Sequence, residues 1–214
     1  MKALILPLTA ALLIGAPAAP AAERKLELAP QPIGSTGPRA GTPAPDFELK
    51  SLDGRTIKGS ELWKQKPLVL MTGSHTCPVY RRTAGPFEKL AADFAGRVHF
   101  VILYTVEAHP SGEPSVYFGR ENVTAANRRE GILWPDARTI EQRVKCAEQS
   151  FKALKLTTTM LVDGMDNAVW KAYGSAPNCA HLIGTDGKVV EAQPWFDAGP
   201  MRAALEKLAA TAGR

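Results

Sequence analysis

No two of the chain's three cysteines, Cys77, Cys146 and Cys179, stand two residues apart, so a local disulfide of the Cys-x-x-Cys kind is excluded. Neither the cysteines nor the four histidines fall at zinc-ligand spacing, and no metal is expected. Basic residues form no run and do not interleave with aromatics, so the net charge of +5 is mild and nucleic acid is not an expected partner. After the first residues no segment is long and apolar enough to cross a bilayer, and no internal repeat is visible. An odd cysteine count leaves at least one thiol unpaired within the chain, which suits a cycling thiol better than a framework of structural staples.

What is present begins with an export-like leader. Met1-Lys2 precedes an apolar run from Ala3 to Ile14, then small residues through Ala22 before the charged Glu23-Arg24-Lys25. This is the order of a secretory signal, with cleavage expected near Ala21 or Ala22, and the apolar run is shorter than the ~20 residues a span needs. Lys2 is the one charged side chain lost, leaving +4. The mature protein is expected to be soluble, without a stable membrane span, and periplasmic or secreted, which places its cysteines in an oxidising compartment. Residues 23–44, rich in Pro, Gly, Ala and Ser, read as a flexible lead-in to a single domain over residues 45–214.

Within that domain, alternation around Asp53-Gly54 predicts a hairpin, followed by a short helical turn at Gly59-Ser60-Glu61-Leu62-Trp63. A central strand is expected at residues 68–72, a helix at 79–94, and a buried strand at 97–104. Residues 105–138 form a long irregular region, a length that usually carries function or disorder. A helix over residues 139–154 is supported by Thr139 and Gln142 at capping-box spacing. A strand at 160–163, a helix at 166–173, strands at 179–183 and 188–191 around Asp186-Gly187, and a last helix at 199–210 complete an α/β layer with a mixed central sheet.

The stretch from Pro67 to Arg82 organises the rest. An apolar strand passes through Gly73-Ser74 and delivers Thr76-Cys77-Pro78 to the start of a helix. Proline suits the first helical position, so Pro78 there makes Cys77 the N-cap, beside free backbone N–H groups and the positive end of the dipole. Such a setting stabilises a thiolate, and Arg81 and Arg82 would add to it by facing the sulfur.

The order of elements is similar to the thioredoxin fold, with an N-terminal hairpin and a long insertion after the second core strand. Three motifs narrow the likeness: Gly73-Ser74-His75-Thr76-Cys77-Pro78, then Tyr104-Thr105-Val106-Glu107-Ala108-His109-Pro110, then Arg138-Thr139-Ile140-Glu141-Gln142-Arg143-Val144. In this order the chain resembles the iodothyronine deiodinase family. The resemblance implies that Cys77 stands where the family has its nucleophilic selenocysteine, that Glu107 and His109 assist proton transfer, and that Tyr104, Ser74 and Thr76 line the site. It also marks departures: His75 replaces a family cysteine, a second family histidine appears as Ala137, and an arginine that grips the hormone's carboxylate falls at Cys179.

Read on their own terms, these residues leave the ends of two strands that meet at one sheet edge if the strands are neighbours. A histidine oriented by a carboxylate can give a proton to a leaving group and take one back. His75 either polarises the thiol or faces solvent; His99 reads as a packing residue or one on an exposed strand face, His181 as a packing residue, and Cys146 as a small buried one. Likeness to thioredoxin-type proteins, where a cis-proline turn faces the reactive thiol, implies such a role for Pro177 and makes Cys179 the resolving cysteine for an oxidised Cys77. The expected function is an exported, reductive thiol oxidoreductase acting on a disulfide, a peroxide or an aryl halide. Its partners would be that small-molecule or protein-thiol substrate and an external thiol reductant, with no bound cofactor; homodimerisation is left open. The alternatives are a non-catalytic binding module of the same fold and a peroxiredoxin-like peroxidase.

Overall fold

A computed structural model describes residues 27–29, 37–174 and 176–212; the expected leader and its cleavage site lie outside the described residues. In chain order the elements are β1 (Glu48–Ser51), β2 (Thr56–Lys58), α1 (Gly59–Gln65), β3 (Leu68–Gly73), α2 (Pro78–Asp93), β4 (His99–Tyr104), α3 (Ala125–Glu130) and α4 (Ile140–Ala153). They continue with β5 (Thr159–Val162), α5 (Ala168–Tyr173), β6 (Ala180–Ile183), β7 (Val189–Gln193) and α6 (Ala198–Ala212). All seven strands join one sheet in the order β2-β1-β5-β4-β3-β6-β7. β4 pairs in parallel with both β3 and β5, while β6, β7, β1 and β2 add antiparallel edges.

β3 is fully buried along its length, which accounts for its unbroken apolar run Leu68-Val69-Leu70-Met71. Its alternate residues feed two cores. Val69 and Met71 pack with α2, α4 and α6 through Phe87, Leu90, Ala147 and Met201; Leu68 and Leu70 pack on the other face with Trp63 of α1 and Tyr173 of α5. Parallel neighbours β3 and β4 end at the same edge, with Gly73 opposite Tyr104. The loops leaving those two ends build the site.

Two sequence expectations change here. Residues 37–44 are not a loose lead-in: Gly41 N–H donates to Val189 O at 2.8 Å, Ala44 N–H to Gly187 O at 2.8 Å, and Pro43 bridges Lys188, so the segment lies along the β6–β7 turn. Ala29 is also tied down, its N–H donating to Val116 O at 2.9 Å. The long region of residues 105–138 contains the helix α3, whose sequence Ala125-Ala126-Asn127-Arg128-Arg129-Glu130 has no apolar period to announce it.

Candidate active site

Thr76-Cys77-Pro78 folds locally as the sequence requires. Cys77 is the N-cap of α2 in extended conformation, Pro78 fills the first helical position, and the Tyr80 N–H donates to Cys77 Sγ at 3.4 Å. Cys77 is nevertheless only 1% exposed. Burial pushes the Cys77 thiol up, against the opposing pull of the Tyr80 and Val79 N–H groups and the Arg81 charge, and Glu107 adds to the rise. The thiolate setting expected from the sequence is therefore corrected: the cap is formed, but desolvation outweighs it. Arg82 is exposed, and the Arg81 guanidinium bonds to the His75 carbonyl rather than to sulfur.

The loops after β3 and β4 are sewn together across the sheet edge. Thr105 N–H donates to Gly73 O at 3.0 Å and Ala108 N–H to Ser74 Oγ at 3.1 Å. Thr76 gives two bonds to Glu107 Oε2, from its N–H at 2.8 Å and its hydroxyl at 2.6 Å. Tyr104 OH donates to Glu107 Oε1 and accepts from His75 N–H at 3.3 Å. Glu107 is 2% exposed, and burial raises its pKa, partly offset by Thr76 and Tyr104 and reinforced by Asp136. A buried carboxyl with a raised pKa and oriented donors is equipped to hold a proton beside the thiol.

His109 joins this network through its backbone, donating N–H to Thr76 Oγ1 at 3.0 Å. Its ring is not paired with Glu107, as the sequence led one to expect. Nδ1 lies 2.7 Å from the Asn122 carbonyl, which can only accept, so Nδ1 carries the proton and Nε2 presents the lone pair of the neutral ring. Burial lowers the His109 pKa, the Asn122 carbonyl opposes it, and the Arg81 charge lowers it further. Phe118 stacks on the ring at 5.5 Å. The physical reason for the rearrangement is that the buried Glu107 carboxyl is already engaged by nearer groups, accepting two bonds from Thr76 and one from Tyr104.

His75 does not face solvent. It stacks on Trp134 at 4.1 Å, its Nδ1 lies 3.1 Å from Ser150 Oγ on α4, and burial together with the Arg81 charge brings its pKa down to about 4. It is thus a neutral packing and hydrogen-bonding group at the floor of the site. His181 is fully buried edge-on to Tyr173, in keeping with a packing role.

Cys179 is brought to the sheet edge, but on the wrong side. Its Sγ donates to Tyr173 O at 3.0 Å and lies 3.1 Å from Thr72 Oγ1. Ala180 and Leu182 share the core of Cys77, whereas Ile183 shares that of Tyr173; by strand alternation the Cys179 sulfur belongs to the Tyr173 face. A direct Cys77–Cys179 disulfide would require the start of β6 to leave β3. The Ala176–Pro177 bond is trans, and Pro177 is buried in the turn before β6. Cys146 differs from both: it is partly exposed, packs against the Cys77 core, and lines a cavity of about 480 Å³ with Asp136, Arg138 and Lys145.

Sequence reasoning missed Asn127, Glu130, Trp134, Asp136 and Ser150. They reach the site from the insertion and from α4, and no local pattern signals a side chain whose partner is 29 residues away, as Asp136 is from Glu107, or 75, as Ser150 is from His75. Among the described residues no cluster of His, Cys, Asp and Glu suited to a metal ion is found, and no helix is long and apolar enough to cross a membrane.

Comparison with known proteins adds lineage to this geometry. The model of the iodothyronine deiodinase family matches residues 37–209. Thyroxine 5-deiodinase of Gallus gallus is 29% identical over 177 residues, which cover 73% of this chain and 62% of that protein. The chain therefore spans less than two thirds of the length of that relative. Among solved structures, a thiol-disulfide oxidoreductase from Bacteroides fragilis superposes with a TM-score of 0.53 at 14% identity, over 78% of this chain and 99% of that one. Peroxidoxin BcpB from Mycobacterium tuberculosis does so with 0.53 at 20% identity, over 81% and 97%. These likenesses establish a thioredoxin-like fold.

Proposed function

The chain belongs to the iodothyronine deiodinase family, and from that premise we propose that it is a reductive thiol oxidoreductase in which Cys77 attacks a soft electrophilic atom and Glu107 supplies the proton. The observation that carries the reading is the fully bonded Thr76–Glu107–Tyr104 group, held directly beside the Cys77 loop. An aryl iodide is the leading electrophile. The Cys77 sulfur bonds to iodine as the carbon–iodine bond breaks, the ring carbon takes a proton from the Glu107 carboxyl, and the proton leaving the thiol restores that carboxyl, giving a sulfenyl iodide and the dehalogenated ring. Two external thiols then return Cys77 to the thiol, leaving as a disulfide with iodide released. With a peroxide the same attack yields a sulfenic acid and an alcohol, and with a disulfide a mixed disulfide and a thiol.

A second reading, a non-catalytic binding module, draws on the 1% exposure of Cys77 and its raised thiol pKa. A turnover panel with an iodinated phenol, a peroxide and a low-molecular-weight disulfide, each with a dithiol reductant, separates the two. Turnover by the wild type and its loss in Cys77→Ser support the enzyme; equal rates for both proteins with all three substrates support the module.

We also propose that the mature protein works outside the cytoplasm, on the strength of the leader sequence alone. Amino-terminal sequencing of the protein from a fractionated host should begin at Ala22 or Glu23 in the exported fraction; a cytoplasmic protein retaining Met1 or Lys2 contradicts this.

A further inference from the structure

We propose that Asp136 is the positioning residue for the proton donor: from the wall of the cavity beside α4, its carboxylate engages the Glu107 backbone and keeps the Glu107 carboxyl in the acid form. The proposal deepens the reading above and rests on it for the use made of that proton.

Glu107 donates its N–H to Asp136 Oδ1 at 3.1 Å. Asp136 is fixed in turn from its other side, its N–H donating to Glu113 Oε1 at 2.7 Å, while Glu113 pairs with Arg138. Two carboxyls from opposite ends of the irregular region are thereby gathered at one peptide group, Glu107 at 2% exposure and Asp136 at 9%. Like charges so close, and so far from water, oppose each other's ionisation. Access to solvent separates the two. Asp136 lines the cavity of about 480 Å³ together with Arg138 and Lys145, whereas Glu107 is absent from its walls and is turned toward Thr76 and Tyr104. The charge is therefore carried at Asp136 and the proton at Glu107. The bonding allows this. Oε2 accepts from Thr76 in either state, and in the acid a proton on Oε1 serves the Tyr104 oxygen.

Burial leads in raising the Glu107 pKa, Thr76 and Tyr104 oppose it, and the Asp136 charge adds to the rise. The other ionisable groups around the pair do not supply that negative charge. Burial holds Tyr104 of β4 and Cys77 at the head of α2 in their neutral forms. Cys146 of α4 is pushed up to about 11 by burial and then by the charges of Glu107 and Asp136 themselves. His75 and His109 are neutral rings, both lowered first by burial. The cations of the neighbouring helices, Arg81 on α2 and Arg143 and Lys145 on α4, act in the opposite sense by favouring a charged Glu107.

Asp136→Asn keeps an acceptor for the Glu107 N–H and removes the charge, while Asp136→Glu keeps the charge. Two readouts are compared: the pH profile of kcat/KM with an iodinated phenol and a dithiol, and the pH titration of the Glu107 side-chain carboxyl by carbon-13 NMR, assigned by its loss in Glu107→Gln. In the wild type the descending limb of the profile should coincide with the Glu107 midpoint, above the ordinary carboxylate range. Asp136→Asn should displace both to lower pH by about one unit, which is about a tenfold loss of turnover above the limb. Asp136→Glu should restore most of that displacement. A purely structural role would lower the rate by one factor at every pH and leave the limb in place; that result, or an unmoved Glu107 midpoint in Asp136→Asn, overturns the proposal. Should neither variant fold, a wild-type Glu107 that titrates in the ordinary carboxylate range overturns it. A Glu107 midpoint that falls in Asp136→Asn with no turnover of any substrate would sink the proposed function and leave the carboxyl pair standing; turnover with Glu107 titrating alike in wild type and Asp136→Asn would do the reverse.

Discussion

Glu107 is a carboxyl removed from water whose neutral form the fold favours. Because its folded pKa is raised above the ordinary carboxylate value, its stabilising contribution is fully present below the unfolded pKa of about 4.3 and is lost as pH rises through the folded value. Glu107→Gln imitates the protonated acid and escapes that loss. Calorimetry should show the variant gaining on wild type between pH 5 and pH 8, while turnover falls by about a hundredfold or more for want of the proton donor. An equal melting deficit at both pH values would mean that the carboxylate, not the acid, is the form the site holds. Cys77 and His75 follow the same logic of burial: one thiol is pushed up and one imidazole pushed down. Sequence could name all three residues, because motif order and the Pro78 cap single them out. It could not weigh desolvation against the helix dipole, since burial of Cys77 is decided by the insertion and by packing far along the chain.

At the level of elements, the strand–turn–helix from β3 to α2 depends on a glycine. A Cβ at Gly73 would lie 2.2 Å from the Tyr80 ring, which is fully buried and whose N–H caps the Cys77 sulfur. Gly73→Ala should cost about 1–3 kcal/mol by overpacking, lowering the thermal midpoint by about 2–4 °C per kcal/mol. Trimming the ring in Gly73→Ala/Tyr80→Leu should recover part of the loss; no recovery would place the strain elsewhere. Regular elements of this kind were legible because periodicity and caps are local signals, and Thr139 indeed accepts from the Gln142 N–H at the head of α4. α3 was not legible, because polar contacts to Arg81 and Thr76 rather than an apolar stripe hold it in place.

For the whole molecule, sheet order decides what the cysteines can do. The run of β3, β4 and β5 puts α2 and α4 on one face, and Cys146 with them, while the residues facing Tyr173 keep Cys179 on the other. Spacing along the chain showed that Cys179 follows Pro177 but not which side of β6 its sulfur leaves. The proposed chemistry requires the enclosed Cys77, rather than the more accessible Cys146, to be the sulfur that takes the halogen. A single turnover without reductant, with an iodinated phenol in slight excess and dimedone to capture the oxidised sulfur, tests it by peptide mass spectrometry. One dimedone adduct per chain on Cys77, matched by one equivalent of dehalogenated phenol, is the predicted result. An adduct on Cys146 with Cys77 unmodified would contradict it.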